Sequence, residues 1–117
     1  MIPSVNSSLS ALRAYRTSMG VTADNIANVN TDEFKKSRAT MKEGANGGVE
    51  VEVNKINTPG YRYQELEGDQ MVEKETSNVN LEEELPDMMV TQRTYEANLK
   101  VLQTHDKMLG TMLDILS

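Results

Sequence analysis

The chain has 117 residues, one phenylalanine, no tryptophan, no cysteine and a formal charge of −6. That length holds one small domain, and the absence of cysteine excludes a disulfide framework and thiolate metal sites. The acidic balance, with no basic run longer than Lys35-Lys36, argues against a phosphate-binding surface for nucleic acid.

Nothing after Met1-Ile2-Pro3-Ser4 reads as a cleavable secretory signal. No apolar run approaches the roughly 18 residues of a membrane span. From Val5 the apolar residues Leu9, Leu12, Met19, Ala23 and Ile26 recur at 4,3 spacing, interrupted only by Arg16. This spacing predicts a helix of about 26 residues with Gly20 as a weak point and N-cap candidates between Ser4 and Ser8. Its end is unusual: "ADNIANVNTDEFKK" places Asn25, Asn28 and Asn30 on the last turns, although asparagine competes with its own backbone and is a mediocre helix former.

The middle of the chain changes character. Lys42 to Gly48 reads as a flexible loop, and Val49-Glu50-Val51-Glu52-Val53 alternates strictly, as a strand with one buried face does. Thr58-Pro59-Gly60-Tyr61 has Pro and Gly where a type II turn wants them. Tyr61 to Leu66 is then expected to pair back on the first strand, and Gln70 to Ser77 to add a short extended piece. An isolated hairpin is marginal in water, so this insert must lean on the helices or on a neighbour.

The strongest periodic signal lies at the C-terminal end. Leu81, Leu85, Met88, Gln92, Tyr95, Leu99, Leu102, Asp106, Leu109, Leu113 and Leu116 follow strict 4,3 steps, which over about five heptads predicts a coiled-coil helix. Asn80 and Glu83 read as a capping box, the Glu82-Glu83-Glu84 run complements the positive helix end, and Pro86 is expected to kink the helix or delay its start. Val90, Ala97, Val101, Met108, Met112 and Ile115 form a second apolar stripe that a two-helix pair leaves uncovered. The expected fold is therefore mainly α: two long terminal helices pairing as a coiled-coil helical hairpin with a small β-hairpin insert. The expected parts are residues 1–36, 37–76 and 77–117.

Catalytic chemistry has no foothold. The single histidine, His105, has no second histidine or thiol with which to share a metal, and the glycines of GANGG do not follow a strand and open a helix as a phosphate loop would. No catalytic residue, cofactor or small-molecule substrate is expected.

The asparagines carry more information, because "NVN" occurs at Asn28-Val29-Asn30 and again at Asn78-Val79-Asn80. The first segment, Ala23 to Lys36, resembles the N-terminal signature of the bacterial flagellar axial proteins, the rod and hook group, roughly a-x-N-I-A-N-x-N-T-x-G-[FY]-K. Asn25, Ile26, Ala27, Asn28, Asn30, Thr31, Phe34 and Lys35 match it. Ser77 to Leu116 resembles that family's C-terminal signature through Ser77, Asn78, Val79, Asn80, Leu81, Gln92, Arg93, Tyr95, Glu96, Ala97, Asn98, Asp106, Met108 and Leu109. Together the two cover about 75 residues. Asp32-Glu33 departs from the usual x-Gly, while "INTPGYR" (Ile56 to Arg62) carries that motif intact inside the insert.

The resemblance implies a structural subunit, not an enzyme. Such proteins leave through the flagellar type III export apparatus without signal cleavage and polymerise with their own copies and other axial proteins in the basal body. The short insert fits a proximal-rod protein best; the heptads alone would also allow a soluble coiled-coil adaptor or a chaperone-like helical hairpin. Assembly residues expected on this basis are Asn25, Ile26, Asn28, Asn30, Thr31, Phe34, Asn78, Asn80, Leu81, Gln92, Tyr95, Met108 and Leu109, the seam residues Leu99 and Leu102, and Arg93, Glu96 and Asn98 as inter-subunit polar contacts. The amides of Asn25 and Asn28 are expected to bridge this turn and an adjacent subunit.

Overall fold

The computed structural model describes residues 2–45 and 47–116, with side chains from residue 5 onward. Its elements are α1 (Ile2–Ala27), β1 (Ser37–Glu43), β2 (Val49–Lys55), β3 (Arg62–Glu67), β4 (Gln70–Glu75) and α2 (Leu81–Leu116). The helix begins at Ile2, upstream of the Ser4 to Ser8 cap candidates; Pro3 then sits in the first turn, where a missing N–H costs no intrahelical bond. α1 also runs unbroken through Gly20.

The insert holds two hairpins where one was expected. β1 pairs antiparallel with β2, from Ser37 opposite Lys55 to Glu43 opposite Val49. β3 pairs only with β4, from Arg62 opposite Glu75 to Glu67 opposite Gln70. The turn chemistry decides this. Gly68-Asp69 is a two-residue loop with Gly68 at φ 62°, the conformation a II′ loop asks of its first central residue, so β3 folds back at once. Lys42 and Glu43 belong to β1, and the bend between the first two strands is carried by Gly47 and Gly48, both at positive φ; Asn46 lies outside the described residues.

The first hairpin packs on α1. Ala39, Met41, Val49 and Val51 share the half-buried face, while Arg38, Thr40 and Lys42 look outward. Its two ends are fastened: the Val49 N–H donates to Ser10 Oγ (3.0 Å), and the Ser37 N–H to Asn25 Oδ1 (3.0 Å). From Ser10 to Asn25 a helix rises roughly 22 Å, about the length of a seven-residue strand. A side chain at Gly48 would meet Ser10 Oγ at 2.5 Å, so that glycine is also required by the close approach.

α2 lies antiparallel beside α1, since Asn25 near the end of one helix bonds Glu84 near the start of the other. At equal rise, Ile2 falls opposite a residue near 107, so α2 overhangs its partner by about nine residues; residues 106–116 are all exposed. Pro86 lies inside the helix, which starts at Leu81 without delay; the carbonyl of Glu82 loses its intrahelical donor there.

The face that α2 turns inward is not the predicted seam. Glu84, Met88, Thr91, Thr94, Tyr95, Asn98, Leu102 and His105 are buried or half-buried. Leu81, Leu85, Leu99, Leu109, Leu113 and Leu116 are exposed. Only Met88, Tyr95 and Leu102 are common to both sets, which rotates the contact about 50° around the helix axis. The partner explains the shift. α1 offers a buried row of Ser8, Ala11, Leu12, Ala14, Thr22 and Asn25, in which every side chain but Leu12 is small or polar, whereas Leu9 and Ala23 of its predicted seam face outward.

Consequently the monomer has almost no apolar core: Ala11, Leu12, Ala14 and Val79 are the buried hydrophobic residues among those described. The radius of gyration is 21.0 Å, against about 13 Å for a compact chain of this length.

Candidate assembly interface

The two NVN segments meet where the helices hand over to the insert. Asn25 is 1% exposed. Its amide closes a two-way bond with the Ser37 backbone, Nδ2 donating to the carbonyl (2.8 Å) and Oδ1 accepting from the N–H (3.0 Å), and Nδ2 also reaches Glu84 Oε2 at 3.3 Å. Asn78, also buried, does the corresponding work from the return segment. Its Oδ1 accepts from the Lys36 N–H (2.7 Å), and Nδ2 donates to the carbonyls of Ile56 (2.8 Å) and Thr58 (2.9 Å). Consecutive peptide N–H groups, Lys36 and Ser37, are thus gripped by asparagines from opposite ends of the chain. An asparagine side chain presents a donor and an acceptor side by side, as a peptide group does, which suits it to this task.

Asn28 is different. Its Nδ2 donates to the Asp24 carbonyl (2.8 Å) and its Oδ1 accepts from Thr31 Oγ1 (3.1 Å), so it closes the helix end locally. The expected bridge to an adjacent subunit is therefore corrected for Asn25, whose amide is buried and engaged within its own chain. Asn80 precedes α2 and its carbonyl accepts from the Glu83 and Glu84 N–H groups (3.1 and 3.0 Å). The reciprocal capping box does not form, because the Glu83 carboxylate turns to Lys36 Nζ at 3.4 Å.

The two copies of the N-T-x-x motif flank one return strand. On one side the Glu33 N–H donates to the Glu75 carbonyl (2.9 Å) and the Asn78 N–H to the Phe34 carbonyl (3.3 Å). On the other, the Thr76 N–H donates to the Tyr61 carbonyl (2.8 Å) and the Gly60 N–H to Glu75 Oε1 (2.8 Å). INTPGYR is thus an echo that docks on the same segment from the opposite side. Lys35 Nζ sits 2.5 Å from Glu75 Oε1, and with the Gly60 N–H it holds that carboxyl below the usual glutamate range. The Tyr63 hydroxyl donates to Asp32 Oδ2 (2.6 Å), which raises its pKa.

Glu33 corresponds to Gly60 in the echo, and it is the non-glycine residue with positive φ, 64°, among those described. The backbone there keeps the left-handed shape that the family's glycine allows, at a cost of roughly 1 kcal/mol for a residue with a Cβ. Glu33→Gly is expected to raise stability by up to about 1 kcal/mol in a thermal or urea melt; unchanged or lowered stability would show that the strain is absent. Gly60 itself does not adopt positive φ, so the predicted type II turn does not form.

The remaining expected site residues lie along α2. Arg93 and Glu96 are exposed and face each other at 3.9 Å within one helix, and Asn98 Nδ2 donates to the Thr94 carbonyl of its own helix (3.0 Å). Gln92, Leu99, Met108 and Leu109 are exposed, Tyr95 and Leu102 half-buried. Ile26 and Phe34 are half-buried at the junction, and Asn30, Thr31 and Leu81 are exposed around it. The second stripe is open to solvent as expected: Val90 is 66% exposed and Ile115 78%.

Sequence reasoning missed Lys36, Ser37 and Glu84, the junction's other members. Glu84 is buried at 7% exposure, although its place in an acidic first turn suggested only a complement to the helix end. The described residues include no cluster of three or more metal-ligating side chains, and no helix is long and apolar enough to cross a membrane. The Nδ1 of His105 is enclosed without a hydrogen-bond partner among the described residues, in a shallow groove with Lys100, Val101, Thr104 and Met108.

Two family models match the chain: flagella basal body rod protein over residues 6–35, and flagellar basal body rod FlgEFG protein C-terminal over residues 70–115. Those spans contain Asn25, Asn28, Asn78 and Glu84 and omit β1, β2 and β3. Among relatives, the flagellar basal-body rod protein FlgG of Bacillus subtilis is 46% identical over 43 residues, 37% of this chain and 16% of that protein. The FlgG of Buchnera aphidicola from Acyrthosiphon pisum is 60% identical over 35 residues, 30% of this chain and 14% of its own length. The flagellar hook protein FlgE of Escherichia coli is 42% identical over 41 residues, 35% of this chain and 10% of its own length. The matched stretch thus spans less than a fifth of each of these proteins. Helices and junction alike carry the match, and the chain belongs to the flagellar basal-body rod and hook family.

Proposed function

We propose that the chain is a structural subunit of the bacterial flagellar basal-body rod, without catalytic activity, that polymerises through its terminal helices. The observation that carries this reading is the rotated seam. Intrachain packing consumes the polar side of α2 and leaves Leu85, Leu99, Leu109 and Leu113 in water, 42–66% exposed for all but Leu99 at 41%. With about half of its surface still exposed, each such side chain represents roughly 1 kcal/mol of burial free energy still available to a neighbour. Exposed ion pairs such as Arg93–Glu96 contribute about 1 kcal/mol or less, so apolar faces dominate affinity.

The division at residues 1–36, 37–76 and 77–117 belongs to the proposal: helices and junction form the polymer, and the insert decorates it. Partners are then further copies and other axial proteins, and the route outward is type III export without signal cleavage. The short insert favours a proximal-rod position. The family matches give the coiled-coil adaptor reading no support.

Deleting Met108 to Ser117 removes most of the overhang and none of the junction. The expected result is loss of rod assembly and motility with export retained; normal motility in that strain would overturn the reading.

A further inference from the structure

The second hairpin, β3–β4, touches neither helix nor the first hairpin; only its base is tied, through Lys35–Glu75, Tyr63–Asp32 and the main-chain N–H bonds of Glu33 and Gly60 to Glu75 and of Thr76 to Tyr61. The molecule is 83 Å long and about 25 by 20 Å across. α2 accounts for roughly 54 Å of that length, and the first hairpin folds back on α1. The second hairpin, about 20 Å from base to tip, therefore projects along the long axis beyond the junction, opposite the α2 overhang.

Its tip is both apolar and acidic. Leu66 and Met71 are cross-strand partners, 64% and 61% exposed. On the opposite face Lys74 alone offsets Glu65 and Glu67, and Asp69 in the loop has no ion-pair partner among the described residues. The outward face of α1 is the complement. Arg13 and Arg16, one turn apart, are exposed and make no ion pair among the described residues, and the only carboxylate in α1 is Asp24. Leu9 lies one turn before them, and Gly20 one turn after leaves a notch, with nothing within 4 Å of the place a Cβ would take.

We propose that the tip of the second hairpin seats on the Leu9–Arg13–Arg16–Gly20 face of α1 in a second copy of this chain. Leu66 and Met71 fill the notch at Gly20, while Asp69 at the turn and Glu67 on the opposite face of the hairpin meet the guanidinium groups of Arg16 and Arg13. A hairpin that protrudes axially and cannot reach its own α1 makes this a head-to-tail contact, which repeats without closing and so propagates a filament. The proposal rests on the self-assembly reading and adds to it a contact outside the leucine faces.

The full chain has no cysteine, so every disulfide in the test comes from introduced residues. Leu66→Cys and Thr17→Cys chains, mixed under mild oxidation, are expected to give a mixed dimer at least tenfold more abundant than Leu66→Cys with Gln103→Cys on exposed α2. Arg13→Glu/Arg16→Glu, or Glu67→Lys/Asp69→Lys, should each lower that yield at least tenfold at low salt, and chains carrying opposite reversals should restore it when mixed. Self-association by sedimentation that persists while crosslinking ignores both reversals would overturn this contact alone. Failure of the unaltered chain to self-associate at any concentration would overturn the assembly reading and the contact with it.

Discussion

Asn25→Ala is expected to destabilise the chain by about 3 kcal/mol, whereas Asn28→Ala should cost under about 1 kcal/mol. The two asparagines stand one turn apart and share the family motif, yet their surroundings differ. Truncating Asn25 strips partners from the N–H and the carbonyl of Ser37 and from the buried carboxylate of Glu84 together. A group left unpaired away from water loses its hydration as well as its bond, which is why removing one partner costs more than the bond contributes. Truncating Asn28 frees an Asp24 carbonyl near solvent, which water can satisfy. Asn25→Asp sharpens the test. It keeps the acceptor for the Ser37 N–H but sets a carboxylate against the Ser37 carbonyl and Glu84. It should be worse than alanine at neutral pH and should recover as acid neutralises the introduced carboxylate. Urea melts followed by circular dichroism measure all three; equal losses for Asn25→Ala and Asn28→Ala would show that both are merely local caps.

The helices, their lengths and the place of the insert were legible in the sequence because each rests on a local pattern: 4,3 spacing for α1 and α2, alternation for Val49 to Val53. What was misread depends on partners distant in the chain. The 4,3 count found the most apolar stripe of α2, but which stripe faces α1 is decided by the small and polar row from Ser8 to Asn25 that α1 presents. Strand β1 (SRATMKE) hides behind a weak alternation, with Ala39 and Met41 as its inward residues. The second hairpin did have a local signal, the Gly68-Asp69 loop between Glu67 and Gln70, and it outweighs the Pro-Gly pair at residues 59–60. At the junction the asparagines were conspicuous and Glu84 was not. An amide on a helix invites the question of what it binds, whereas a glutamate in a first turn already has an ordinary explanation.

Gly60→Ala is expected to release the second hairpin. A Cβ at residue 60 would collide with the backbone carbonyl of Thr76 and press on that of Ser77 at 3.0 Å, and neither main-chain atom can swing aside as a side chain can. The strand Thr76-Ser77 is itself held by Asn78, so relief must come from the Pro59–Arg62 side. Moving it breaks the Gly60 N–H bond to Glu75, the Tyr61 N–H bond to Thr76 Oγ1 (2.9 Å) and the Thr76 N–H bond to Tyr61. Overpacking of this kind costs up to about 3 kcal/mol. The cost falls on an element with no packing contact elsewhere, so its effect is local: the helices and first hairpin should melt nearly as before. Amides from Arg62 to Glu75 should exchange at least tenfold faster. Because Gly60 corresponds to Glu33 in the repeated motif, the pair separates two reasons for glycine at one motif position. At residue 33 glycine relaxes a left-handed backbone, and at residue 60 it admits a neighbouring carbonyl. Unchanged exchange across β3 and β4 in Gly60→Ala would mean that the hairpin is anchored by the Glu33–Glu75 main-chain bond and its side-chain ties, without the Gly60 segment.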